Sequence, residues 1–153
     1  MTIPVEVRLG AAPHNREDAV RAAGALLAEA GHTEAAYTNS LLQREKVANT
    51  FLGQGLAIPH GMVEDKHLVL RTGLAVLQVP GGVRWGDDSK QARLVVAIAA
   101  ASDQHIAVLR RLTRLMRDDA LMERLATTQD AQEIVRALTG EESTTAPEPT
   151  RRY

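Results

Sequence analysis

Residues 92–100 read ARLVVAIAA, and after Arg93 every position from Leu94 to Ala100 is apolar. A strand with one face in water alternates apolar and polar residues, so this run belongs to a strand covered on both faces. Helices must then pack on both sides of a sheet, which makes the fold class α/β. Working backwards, 72–79 (TGLAVLQV) is β-branched and apolar, Pro80, Gly81 and Gly82 form a turn, and 83–85 can pair back. Further upstream, 56–58 is a short extended run stopped by Pro59. The expected architecture is a single domain with a mixed sheet of about five strands and helices on both faces.

The helical period flanks these strands. Asn15 is a good N-cap, apolar residues recur at Ala19, Val20, Ala23, Leu26, Leu27 and Ala30, and Gly31 closes the helix. A second helix is expected from Thr33 through Tyr37, Leu41 and Leu42 to about Lys46. Beyond the central strand, Ile106, Leu109, Leu112 and Met116 form one stripe, with Arg110, Arg111, Arg114 and Arg117 mostly outside it. A short helix covers 120–126. The last runs from Asp130, with Glu133 completing a capping-box pattern, to Leu138, and Gly140 ends it. The remainder, EESTTAPEPTRRY, is polar and contains proline, so 1–140 is read as the domain and 141–153 as a disordered tail.

Composition narrows the function classes. A chain of 153 residues suits one hydrophobic core. It has no cysteine, which excludes disulfides, thiolate metal sites and a cysteine nucleophile. With 18 basic and 19 acidic residues the chain is no polycation, and one Trp, one Phe and two Tyr leave little for base stacking, so nucleic acid is not an expected partner. No apolar stretch reaches bilayer length, and MTIPVEVRLG lacks the layout of a signal peptide, so a cytoplasmic protein is expected.

Five histidines are available for chemistry: His14, His32, His60, His67 and His105. None stands in a metal-ligand spacing. Gly53 and Gly55 lack the third glycine and the following helix of a nucleotide loop, and there is no G-x-S-x-G elbow. His60 is set apart by its neighbours in GLAIPHG, residues 55–61: Pro59 fixes the backbone, and Gly61 leaves room for another molecule's surface. Turn cap and reacting group both remain open for it. His105 follows Ser102 and Asp103 near a helix start, where free N–H groups favour anions, but it can equally be a cap. Arg44, Glu45 and Lys46, read singly, are solvated surface.

Together these residues carry more. The stretch 45–61, EKVANTFLGQGLAIPHG, presents an acidic residue, a spacer, Leu52-Gly53, two variable positions, Leu56-Ala57-Ile58 and Pro59-His60-Gly61. It resembles the histidine signature of the fructose/mannitol class (type 2) of phosphotransferase-system enzyme IIA. The resemblance continues through REK at 44–46, VLRTG at 69–73, PGGVRWG at 80–86, ARLVVAIAA and DQHIAVL at 103–109, and looks most like the mannitol-specific component.

The resemblance implies a phosphocarrier. His60 would take a phosphoryl group from phospho-HPr and pass it to a cysteine of a IIB domain, which acts with a membrane IIC domain. His105 would stabilise the moving phosphoryl and Arg44 would neutralise its charge. No metal or nucleotide cofactor is implied. An imidazole that titrates near neutrality suits such a role, because it offers an unprotonated nitrogen and forms a labile P–N bond. Two residues depart from the mannitol-type pattern: Gln54 replaces an acidic residue, which would alter charge near His60, and Met62 replaces a common threonine. The alternative is a regulatory IIA-like protein of the nitrogen type, whose phosphorylation state is read by a protein partner.

Overall fold

The computed structural model describes residues 3–100 and 105–140. The stretch expected to be a disordered tail, 141–153, lies outside them, as do Ser102 and Asp103. The elements in chain order are β1 (Val5–Arg8), α1 (Arg16–Glu29), α2 (Tyr37–Val47), β2 (Phe51–Gly53), β3 (Leu56–Ala57), a 3-10 helix (Val63–Leu68), β4 (Gly73–Trp85), β5 (Asp87–Ala99), α3 (His105–Leu115), α4 (Asp119–Thr127) and α5 (Ala131–Thr139). One five-stranded sheet has the order β1-β4-β5-β3-β2. It is mixed: β1 is parallel to β4 and β3 to β5, while β4–β5 and β2–β3 are antiparallel.

The run that decided the fold class behaves as expected. Along β5, Val95, Ala97 and Ala99 pack with Val20, Leu27, Tyr37 and Leu41 of α1 and α2. Their neighbours Leu94, Val96 and Ile98 pack on the opposite face with Val108, Leu112, Leu125, Ile134 and Leu138 of α3 to α5. Successive strand residues point to opposite faces, so a strand with helices above and below must be apolar at every step. Full burial of each such Leu or Val contributes about 1.5–3 kcal/mol, which makes this double layer the main source of stability.

Within β4, Gln78 is a buried polar residue, 2% exposed. It is fully used: its Oε1 accepts from Gly10 N at 2.9 Å, and its Nε2 donates to the carbonyls of Leu125 and Thr128 at 2.9 and 2.8 Å. Buried polar groups persist when satisfied in this way. Here one side chain ties β4 to the segment after β1 and to the end of α4.

Helix termini follow their residues. Asn15 accepts from Asp18 N at 2.8 Å, and α1 closes with Gly31 N to Ala28 O and His32 N to Leu27 O, a Schellman turn through Gly31 at φ +81°. The helix expected from Thr33 instead starts at Tyr37, because His32 O receives the N–H groups of Leu70 and Arg71 and Thr33 bridges to Val69. At α5, Asp130 caps Gln132 N as expected, but Glu133 does not reach back to it. The Glu133 carboxylate instead accepts from Thr128 Oγ1 and from Arg124 at 2.5 Å.

The strands differ more. Pro80-Gly81-Gly82 is not the chain reversal: β4 runs through it, and the chain turns at Gly86, φ +99°. Pairing resumes with Val83 opposite Ala92, so the four residues 79–82 face Arg93 alone as a large bulge. A proline has no N–H for a ladder, and Gly82, φ +80°, accepts the left-handed bend. Arg93 fills the gap, donating from Nε to Pro80 O at 3.1 Å. As a result β5 begins at Asp87, five residues before the apolar run at 92.

Candidate functional site

His60 sits where β3 ends beside the end of β5. Pro59 does not stop the pairing, since its carbonyl accepts from Ile98 N at 2.9 Å and His60 bridges to Ile98 in parallel. Beyond His60 the chain leaves the sheet for the 3-10 helix Val63–Leu68. The result is an open hollow of about 340 Å³, lined by His60, Tyr37, Met62, Val63, Lys66 and Leu109 among others.

The imidazole is oriented. Its Nδ1 lies 2.9 Å from the carbonyl oxygen of Ile58. A carbonyl can only accept, so Nδ1 carries the proton and donates. In the neutral ring Nε2 is then left with its lone pair, and the half-buried side chain lines the hollow. The tautomer is thus set by the carbonyl two residues earlier, and the neutral ring keeps its lone pair on Nε2.

The loop beyond is clamped by the first turn of α2. Gly61 N donates to Tyr37 Oη at 3.0 Å, Tyr37 Oη donates to Ile98 O at 3.1 Å, and Met62 N donates to Ser40 Oγ at 2.8 Å. Burial raises the Tyr37 pKa above 10.0, against the lowering effect of the Gly61 N–H and with a further push from Asp65, so the hydroxyl is protonated and can donate at neutral pH. With Gly61 and Met62 N–H both engaged, neither is a free donor for an incoming anion.

Gly61 has a different reason from the one expected. Its φ is not in the left-handed region, and a β-carbon there would lie 2.5 to 2.8 Å from Tyr37 Cε1, Cζ and Oη. The glycine admits the Tyr37 ring rather than a partner's surface. Gly61→Ala is expected to push the loop off Tyr37 and cost about 1–3 kcal/mol. Urea denaturation measures that loss, and an unchanged midpoint would refute the clash.

The other expected residues distribute unequally. His105 opens α3, whose Leu109 lines the hollow. Arg44 does not line it: Nη1 donates to Ala48 O at 2.7 Å, capping the end of α2. Gln54 is not near His60 either. It forms the turn between β2 and β3, at the opposite end of β3, with a left-handed φ of +52° between Gly53 and Gly55, and lines a separate hollow with Arg93 and Glu123. The charge change at 54 therefore acts away from the imidazole.

Glu45 overturns its reading as solvated surface. It is 4% exposed, and its carboxylate accepts from Thr50 N and Thr50 Oγ1, both at 2.7 Å, and from Trp85 Nε1 at 2.9 Å. Tyr37, Leu41 and Glu45 follow one another at helical spacing on the buried face of α2. The same helix is thus fixed at one end by Glu45 and grips the His60 loop at the other. The spacing from Tyr37 through Leu41 could have flagged Glu45 as inward-facing. His32 is also interior, 1% exposed, with its ring against Gly73 and Nε2 3.5 Å from a Glu6 carboxylate oxygen. Among the described residues no helix is long and apolar enough to cross a membrane.

The class this defines is a mixed α/β domain with an oriented imidazole in an open hollow at a strand end. Its kin agree with that class. Residues 5–140 match the family described as phosphoenolpyruvate-dependent sugar phosphotransferase system, EIIA 2, and the chain belongs to that family. It is 54% identical over 138 residues to a multiphosphoryl transfer protein of Xanthomonas campestris pv. campestris, covering 90% of this chain and 16% of that protein. It is 42% identical over 133 residues to the mannitol-specific EIICBA component of Escherichia coli K12, covering 86% of this chain and 21% of that one. The chain thus spans a small part of these two relatives' length. The complex of enzyme IIAMTL with phosphorylated enzyme IIBMTL from Escherichia coli matches with a TM-score of 0.81 at 40% identity, covering 89% of this chain and 95% of the matched chain.

Proposed function

We propose that the chain is a IIA phosphocarrier in which His60 Nε2 takes a phosphoryl group from phospho-HPr and delivers it to a cysteine of a IIB domain, serving uptake of a mannitol-type sugar. The observation that carries this is the bond from Nδ1 to Ile58 O, which leaves Nε2 unprotonated at the open hollow. In-line transfer between two nitrogens needs positioning and charge neutralisation rather than a base, because the nucleophile has no proton to lose. The apolar lining supports a protein partner: Val63, which lines the hollow, is 87% exposed. His105, at the start of α3, and Arg44 remain the residues proposed to stabilise the phosphoryl, the latter after its guanidinium leaves the Ala48 carbonyl.

The experiment is reconstitution with phosphoenolpyruvate, enzyme I and HPr. The protein is expected to gain a single acid-labile phosphoryl group, and to lose it on addition of a mannitol-type IIB domain. Phosphorylation without discharge onto any IIB cysteine would favour the regulatory alternative.

A further inference from the structure

We propose that Lys66 binds the phosphoryl oxygens carried on His60, an inference that rests on the phosphocarrier reading above. The starting point is a charge imbalance. A phosphoryl group brings roughly −1.5 to −2 charges at neutral pH, and the Asp65 carboxylate on the same 3-10 helix as Lys66 adds to the negative charge there, raising the Tyr37 pKa. The backbone donors at Gly61 and Met62 are already taken, and the Arg44 guanidinium is bonded to Ala48 O.

Lys66 meets the need. Among the described residues it is the one Lys or Arg lining the hollow of His60, and it makes no ion pair. The 3-10 helix Val63–Leu68 starts three residues beyond His60, and the backbone at Lys66 is tied down by Val69 N donating to its carbonyl at 3.0 Å. A lysine acts as a mobile point charge and so can follow phosphoryl oxygens as they move. In the transfer, the donor's N–P bond breaks and its electron pair returns to the donor imidazole, while the Nε2 lone pair forms the new N–P bond. Lys66 gives up no proton; it lowers the energy of the charge spread over the three equatorial oxygens.

The test is the rate of phosphorylation by phospho-HPr in wild type, Lys66→Gln and Lys66→Arg, with a 31P titration of each phosphorylated protein. Lys66→Gln is expected to slow transfer about 10-fold, less than loss of a buried donor because the ammonium is exposed, and to raise the pKa of the second phosphoryl ionisation, since a nearby cation favours the dianion. Lys66→Arg is expected to restore most of both. The side chain is exposed, so the urea midpoint should not move. A Lys66→Gln protein that matches wild type in rate and in phosphoryl pKa would overturn the assignment and leave the carrier reading standing. A wild-type protein that takes no phosphoryl group would overturn both.

Discussion

His60→Gln is expected to fold normally and to take up no phosphoryl group from phosphoenolpyruvate, enzyme I and HPr. Glutamine can still donate from its amide to the Ile58 carbonyl, which His60 Nδ1 reaches at 2.9 Å, so the loop should keep its place. The amide offers no nitrogen lone pair comparable to that of imidazole, so the loss should be complete rather than partial. Gel mobility or intact mass after reconstitution reads the phosphoryl group, and circular dichroism reads the fold. Phosphorylation of His60→Gln at any appreciable level would move the reaction to another residue and sink the proposed mechanism. His105, the other histidine expected at the site, is then the first place to look.

Glu45→Ala should be the most damaging change outside the imidazole, costing about 4 kcal/mol. It strands Thr50 N–H and the indole N–H of Trp85, a residue with no exposed surface, and removes the partner of Thr50 Oγ1. Buried donors left without acceptors cost about 1–3 kcal/mol each, and here the lost acceptor is charged. For a domain of this size the melting temperature should fall by about 10 °C. Glu45→Gln keeps one acceptor oxygen in the same volume and is expected to lose about half as much. Differential scanning calorimetry of the two variants decides the matter, and equal, small losses would mean that the network contributes little. Because Glu45 and Tyr37 share α2, a destabilised variant is also expected to be phosphorylated more slowly as the clamp on Gly61 loosens.

The sequence alone determined the two-sided burial of 94–100, because that needs only the alternation of side chains along a strand. It also determined the caps at Asn15, Gly31 and Gly140, which are local backbone chemistry. The PHG stretch could be placed at a strand end for the same reason.

Only tertiary structure decided what depends on contacts between distant residues. Pro80-Gly81-Gly82 reads locally as a turn, but strand pairing with β5 absorbs it as a bulge. Gly61 reads as room for a partner, but the space is taken by Tyr37, 24 residues earlier. Glu45 reads as surface, but Trp85, 40 residues later, closes over it. The short strands β1 and β2 carry too few residues for a period to declare itself, and they exist because a neighbouring strand offers them a ladder. The imidazole itself was legible as a residue, whereas its free nitrogen was not. Which nitrogen keeps the lone pair is fixed by the direction of the Ile58 carbonyl, a matter of folded geometry that residue types do not encode.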